Sequence, residues 1–314
     1  MPKTMSHTYD TFLTALAPAI WGSTYLVTTE FLPAGYPLTL AVLRALPAGL
    51  LLLVLIRALP PKAMLGRLFL LGALNFALFW SLLFVSAYRL PGGVAATLGA
   101  TQPLMVLLLA RLALGIPLRT ASVFAALCGI LGVAMLLIGP EAKLDTIGIA
   151  AGLGGAASMA AGTVLSRKWQ ANVSPLTFTA WQLTAGGLIL LPIALFFEPA
   201  LPALSVTNLA GLAWLGLIGA ALTYWLWFRG VARLEPGAVS MLGMMSPITA
   251  VVLGWLWLGQ SLTILQFEGA ALVIASVWAG QRFNRPSGSP TQRANLVSKP
   301  QLNLSATPPA PEEK

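Results

Sequence analysis

Ten stretches of about twenty apolar residues, separated by short polar connections, fill most of this 314-residue chain. They fall near 12–31, 37–56, 68–88, 93–113, 120–139, 147–166, 176–197, 208–228, 237–258 and 264–281. A bilayer core of about 30 Å takes roughly 20 residues of helix, and a helix satisfies its own backbone groups where no water can. The expected fold class is therefore all-α integral membrane, with ten transmembrane helices. Turn formers occupy the connections, as in Pro33-Ala34-Gly35, Pro60-Pro61, Pro91-Gly92-Gly93 and Pro236-Gly237, and no connection is long enough for a soluble domain. Lys3 precedes the first run, but Phe12 to Phe31 exceeds a signal-peptide core and a second run follows closely, so it reads as a retained helix.

Charge sets the expected orientation. Only 9% of residues are charged, against about 25% in a soluble domain. With the N-terminus inside, Lys3, Arg57, Lys62, Arg67, Arg111, Arg119, Arg167, Lys168, Arg229, Arg233, Arg282, Arg285, Arg293, Lys299 and Lys314 are all cytoplasmic. Arg89 and Lys143 alone face outward, and Arg44 lies within a span. The net charge of +9 thus follows from the positive-inside rule, and no nucleic-acid partner is expected. A multi-pass protein of a bacterial inner membrane is expected, with both termini cytoplasmic. Residues 282–314, rich in Pro, Ser, Thr, Asn and Gln beyond 285, read as a disordered cytoplasmic tail.

The chain also matches itself. At an offset of 144, Arg89-Leu90 aligns with Arg233-Leu234, Gly93 with Gly237, Leu98-Gly99 with Leu242-Gly243 and Pro103 with Pro247. Leu71-Gly72 meets Leu215-Gly216, and Ala77-Leu78 meets Ala221-Leu222. Pro37-Leu38-Thr39 matches Pro175-Leu176-Thr177 at an offset of 138. Five spans per half is an odd number, so the second half enters the membrane upside down. Two inverted five-helix repeats are expected, at 12–139 and 147–281, flanking an outer linker at 140–146 and preceded by a cytoplasmic N-terminus at 1–11. In such transporters substrate binds near the midplane, between the repeats.

Three segments carry a family resemblance. Ala17-Pro18-Ala19-Ile20-Trp21-Gly22-Ser23-Thr24-Tyr25 resembles the first helix of EamA-type transporters of the drug/metabolite transporter superfamily. Arg44-Ala45-Leu46-Pro47-Ala48-Gly49 resembles their second helix, and Arg89-Leu90-Pro91-Gly92-Gly93-Val94-Ala95 the turn into the fourth. The resemblance spans about residues 10–282 and implies a 5+5 fold and transport. It implies exporters of amino acids, notably aromatic ones, or of pigments, drugs and other metabolites.

Candidate site residues follow from depth and chemistry. Trp21 and Tyr25 share a face of the first helix one turn apart. Trp and Tyr near helix ends, such as Tyr88, Trp169 and Trp278, read as interfacial anchors, whereas Phe79, Trp80 and Tyr224 near the midplane suit a pocket for flat or apolar side chains. Thr24, Asn75, Gln102, Ser158, Thr163, Thr223 and Ser246 are polar at similar depth and suit amino and carboxyl groups. Pro103 and Pro247 free the carbonyls of Gly99 and Gly243 and mark hinges or packing kinks. Arg44 either pairs with a substrate carboxylate, Glu30 or Glu268, or snorkels outward or fixes a helix end. No carboxylate lies near a helix centre, which points to facilitated diffusion or weak coupling, with Glu268 as the fallback coupling residue.

With one histidine, His7, and one cysteine, Cys128, neither a His/Cys zinc site nor a Ser-His-Asp triad is expected, nor any cofactor. Gly148-x3-Gly152, Ala125-x3-Gly129 and Ala271-x3-Ala275-x3-Ala279 permit close helix contact, within a monomer or in a weak homodimer. The expected function is export of small organic metabolites, amino acids first, by alternating access. Efflux of flat drugs or pigments is the alternative. A membrane enzyme would need carboxylates, a His or a metal site near the interface, and no convergent set is found; a non-transporting sensor leaves the repeat unexplained.

Overall fold

Proline, side-chain caps and left-handed residues set the helix ends in the computed structural model, which describes residues 3–90, 97–137, 145–170, 173–259 and 263–283. The first span is two helices, α1 (Lys3–Trp21) and α2 (Ser23–Phe31), joined at Gly22. It starts well before the expected residue 12, because Asp10 and Thr14 on its early turns are buried rather than solvated. The second span, α3 (Pro37–Ile56), opens with Pro at its first position, where no amide partner is needed. The Glu198 carboxylate accepts from the Leu38 and Thr39 amides, both at 2.7 Å, and from the Thr39 hydroxyl at 2.6 Å. A negative group at a helix N-terminus also complements the helix dipole.

The third span comprises α4 (Leu65–Gly72), a π-helical segment (Ala73–Ala77) and α5 (Leu78–Arg89). The fourth is helical from residue 97, interrupted at Ala100-Thr101, and resumes as α6 (Gln102–Leu114). Then come α7 (Thr120–Leu137), α8 (Thr146–Trp169), capped by Asp145, and α9 (Pro175–Phe197), capped by Ser174. The eighth span repeats the pattern of the third: α10 (Val206–Ala213), a π-helical segment (Trp214–Leu222) and α11 (Thr223–Arg233). The ninth repeats the fourth, with α12 (Pro236–Leu242), a turn at Gly243-Met244 and α13 (Met245–Leu258). α14 (Ile264–Phe283) ends the described chain, slightly past the expected residue 281.

Every described element is helical. Eight helices are long and apolar enough to cross a membrane, and Thr120–Leu136 is a shorter apolar helix. The first span, broken at Gly22 and carrying Lys3, Asp10 and Glu30, falls outside those eight. Pro91-Gly92-Gly93, most of the linker at 140–146 and the tail beyond Phe283 lie outside the described residues.

Helix contacts come in reciprocal pairs. A Cβ at Gly49 would lie 2.6 Å from the Thr184 amide, and one at Gly187 2.7 Å from the Leu46 Cβ. Gly187 and Thr184 are the offset-138 mates of Gly49 and Leu46, so one contact implies the other, as across a two-fold axis. Partner numbers fall along α9 as they rise along α3, so the two helices cross antiparallel. In α7 and α14, Gly129 abuts Ser276 while Gly132 abuts Val273, again mates of each other. Gly152 abuts Ser86 in the same way that Gly230 abuts Thr14. Lipid offers no hydrophobic drive for helix association, so backbone approach through small residues holds such a bundle together. Gly148, Gly152 and Gly129 are used within the chain, whereas Ala271 and Ala275 are exposed.

Candidate substrate site

A π turn leaves main-chain carbonyls without their usual amide partner, and in both halves a side chain from another helix takes one of them. In the third span the Leu74 carbonyl accepts from the Ser158 hydroxyl at 2.8 Å. In the eighth the Gly219 carbonyl accepts from Arg44 Nη2 at 2.7 Å and from the Thr223 hydroxyl at 2.8 Å. Thr223 Oγ1 in turn accepts from the Trp21 indole N–H at 2.8 Å. One polar chain therefore joins α1, the eighth span and α3.

Aromatic rings surround this chain. Tyr224 contacts Phe76 at 4.7 Å between centroids, Trp21 at 4.9 Å and Trp80 at 6.4 Å. Trp21 also lies 5.2 Å from Trp227, and Phe76 lies 5.4 Å from Trp80. The interplanar angles run from tilted to edge-on, and each such pair adds about 0.5–1.5 kcal/mol beyond its buried area. The Arg44 guanidinium sits over the Trp80 ring, 5.2 Å from its centroid. Trp80 and Tyr224 are offset-144 mates, so the layer straddles the junction of the two halves.

A second, neutral network lies alongside. Asn75 donates to the Gln182 side-chain oxygen at 2.7 Å and to Ser166 at 3.2 Å, and Ser166 donates to Gln182 at 3.3 Å. Asn75 Oδ1 and Gln182 Nε2 are buried without a partner. This network is the repeat mate of the Arg44–Gly219 contact, because Gln182 corresponds to Arg44 and Asn75 to Gly219.

The structure thus gathers Trp21, Trp80, Thr223, Tyr224 and Arg44 into one layer, with Asn75 beside it. Ser158 supports the π segment, and the Thr163 hydroxyl donates to its own helix at Met159. Phe79 packs against the core but makes no ring contact with the layer among the described residues. Thr24 and Ser246 are partly exposed, and the buried Nε2 of Gln102 has no partner. The side chain of Tyr25 lies outside the described residues. Pro103 and Pro247 each follow a two-residue helix break, and the Gly243 carbonyl accepts from the Ser246 amide at 3.1 Å. Glu268 and Glu30 are exposed and form no ion pair with Arg44 among the described residues. Sequence reasoning did not single out Phe76, Trp227 or Gln182. The repeat alignment holds the signal for Gln182, as the counterpart of Arg44.

Both ends of the bundle carry an ion pair built on mate arginines. At the end that holds Lys3, Asp10 bonds Arg229 at 2.5 Å and Arg233 at 3.1 Å, with the Asp10 and Arg229 side chains 10% and 11% exposed. Thr14, Trp227, Phe228, Val231 and Leu234 fill that end and are all buried. At the other end Arg89, mate of Arg233, faces Asp145 at 3.6 Å, with side chains 46% and 40% exposed. A separate cavity of about 300 Å³, between α3 and the eighth span, is lined by apolar residues such as Leu43, Pro47 and Leu217 and takes in none of the layer.

The model of the EamA-like transporter family matches the chain twice, over residues 10–138 and 146–279. Protein PecM of Dickeya dadantii is 45% identical over 289 residues, covering 90% of this chain and 97% of that protein. The uncharacterized inner membrane transporter YedA of Escherichia coli is 28% identical, covering 82% of this chain and 86% of its own length. A solved crystal structure of a protein 21% identical superposes with a TM-score of 0.75, over 88% of this chain and 99% of the other, and shares the fold.

Proposed function

The chain belongs to the EamA-like transporter family and is a multi-pass membrane transporter of the drug/metabolite superfamily, and we propose that it exports amino acids, aromatic ones among them, by alternating access. In this reading ten helices form two inverted five-helix repeats, 12–139 and 147–281, in a bacterial inner membrane with both termini cytoplasmic. The observation that carries it is the set of reciprocal contacts, Gly49–Thr184 with Gly187–Leu46 above all, in helices that cross antiparallel. Two similar halves have two near-equivalent arrangements, and rocking one against the other moves a central site between sides.

The unequal ion pairs support this mechanism. With the Lys3 end cytoplasmic, the buried Asp10–Arg229 pair, joined by the half-exposed Arg233, closes the inner gate, while the half-exposed Arg89–Asp145 pair is the loosened outer gate. Rocking exchanges their roles. Substrate sits against Trp21, Trp80 and Tyr224, where rings from both halves offer flat faces and Thr223 and Asn75 offer hydrogen bonds. Efflux of flat pigments or drugs is the second reading, favoured by the aromatic content of the same layer.

The test is counterflow of labelled phenylalanine and threonine in liposomes holding the purified protein, with empty vesicles as control. Saturable exchange weakened by Tyr224→Ala is expected. Exchange of flat dyes but of no amino acid would transfer the site to the second reading.

A further inference from the structure

We propose that Arg44 is the specificity-determining residue of the layer, selecting substrates that carry a carboxylate and exchanging the Gly219 carbonyl for it. The inference rests on the carrier reading above and deepens it.

At the mated position of Arg44 and Gln182, well inside the second and seventh spans, the two halves differ in charge. Gln182 bonds Asn75 in a neutral network, whereas its counterpart Arg44 brings a full positive charge to the same depth. No carboxylate among the described residues lies within ion-pair distance of that charge. Asp10 is held by Arg229 and Arg233, Asp145 caps α8 and faces Arg89, and Glu198 caps α3. The protein partners of Arg44 are a neutral carbonyl and a ring, so its charge has no counter-charge among the described residues, and a substrate carboxylate would supply one.

The geometry suits a carboxylate. Arg44 Nη2 is engaged by Gly219, but Nε is buried and unpartnered, so one edge of the guanidinium still has a donor to give. Arginine presents its donors as a planar fork that matches two carboxylate oxygens, and the Trp80 face beneath holds that plane. Giving up Gly219 leaves no orphan, since the Thr223 hydroxyl still donates to that carbonyl and is oriented by the Trp21 indole. The exchange removes one hydrogen bond between α3 and the eighth span and keeps the hydrogen bond that ties the eighth span to α1. Carboxylate binding thereby loosens one contact between the halves at the site itself.

The experiment uses the full chain in liposomes, with labelled phenylalanine and three competitors: phenylalanine, phenylalaninamide and 3-phenylpropionate. Phenylalanine and phenylpropionate should compete, and the amide should be at least tenfold weaker. Arg44→Gln should weaken phenylalanine at least tenfold and abolish discrimination against the amide. Arg44→Lys should restore part of it. Equal competition by acid and amide in the unsubstituted protein overturns the proposal without any variant. So does discrimination that survives in Arg44→Gln. Should the carrier move flat dyes and no amino acid, the amino-acid reading fails alone. A carboxylated dye preferred over its methyl ester then sustains the role of Arg44, and indifference between them overturns it. Absence of flux for every probe overturns both.

Discussion

Trp80 and Tyr224 occupy the same position of the two halves, and their rings meet edge to face with centroids 6.4 Å apart. Each lies within three residues after its half's π segment, so the repeat delivers one ring from either side to a shared layer. Both are buried, at 4% and 2% exposure, and Arg44 covers the first.

Truncating either ring should therefore weaken phenylalanine exchange by roughly tenfold, about 1.4 kcal/mol. The double variant Trp80→Ala/Tyr224→Ala should fall short of the summed losses by about 0.5–1.5 kcal/mol, the coupling expected of an aromatic pair. Half-saturation constants from counterflow give the cycle, and strict additivity would refute a shared site.

The two ends should respond unequally to loss of charge. Asp10→Asn leaves Arg229 buried without a counter-charge and should destabilise by about 3–5 kcal/mol. Arg89→Ala removes a half-exposed pair and should cost about 0–1 kcal/mol. Thermal unfolding in detergent measures both. In a Cys128→Ser background, Asp10→Asn should also raise labelling of Thr14→Cys by a water-soluble thiol reagent, and unchanged labelling would remove Asp10 from the gate.

Close approach of α3 and α9 depends on Gly49, where a Cβ would meet main-chain atoms of Leu183 and Thr184. Gly49→Ala should cost about 1–3 kcal/mol through overpacking. Gly66→Ala is the control, since nothing lies within 4 Å of that Cβ, and its melting temperature should not fall.

The hydroxyl of Ser158 serves a carbonyl in the π segment of the third span, whereas that of Thr163 bonds back to its own helix. Ser158→Ala should cost about 1–3 kcal/mol by leaving the Leu74 carbonyl unsatisfied. Thr163→Ala should cost about 1 kcal/mol or less. Equal melting shifts in the two variants would show that the π segment needs no support from α8.

Hydrophobic run length made most of the helices legible, because lipid demands long uninterrupted spans. The first span was the hardest to bound, since its early turns carry Asp10 and Thr14 and bury them against α11 instead of packing apolar side chains in lipid. Pro103 and Pro247 announced the breaks in the fourth and ninth spans. Nothing in Ala73–Ala77 announced a π turn, whose extra residue is stabilised by a hydroxyl many residues away. Trp21, Trp80, Thr223 and Tyr224 were legible as a group from depth and residue type. Helix phase decided between Phe76 and Phe79: Phe76 meets both Trp80 and Tyr224 edge to face, and Phe79 packs elsewhere against the core.

A π turn is an α-helix with one residue to spare, and each residue of helix accounts for about 100° of rotation. Were the spare residue in Ala73–Ala77 absorbed, Trp80 would swing away from Tyr224 and Arg44 while the helix below kept its place. The same holds for Tyr224 across Trp214–Leu222. Each third-type span is in effect a shaft with a built-in screw joint, so a single-codon deletion there should leave insertion intact and re-aim the aromatic layer.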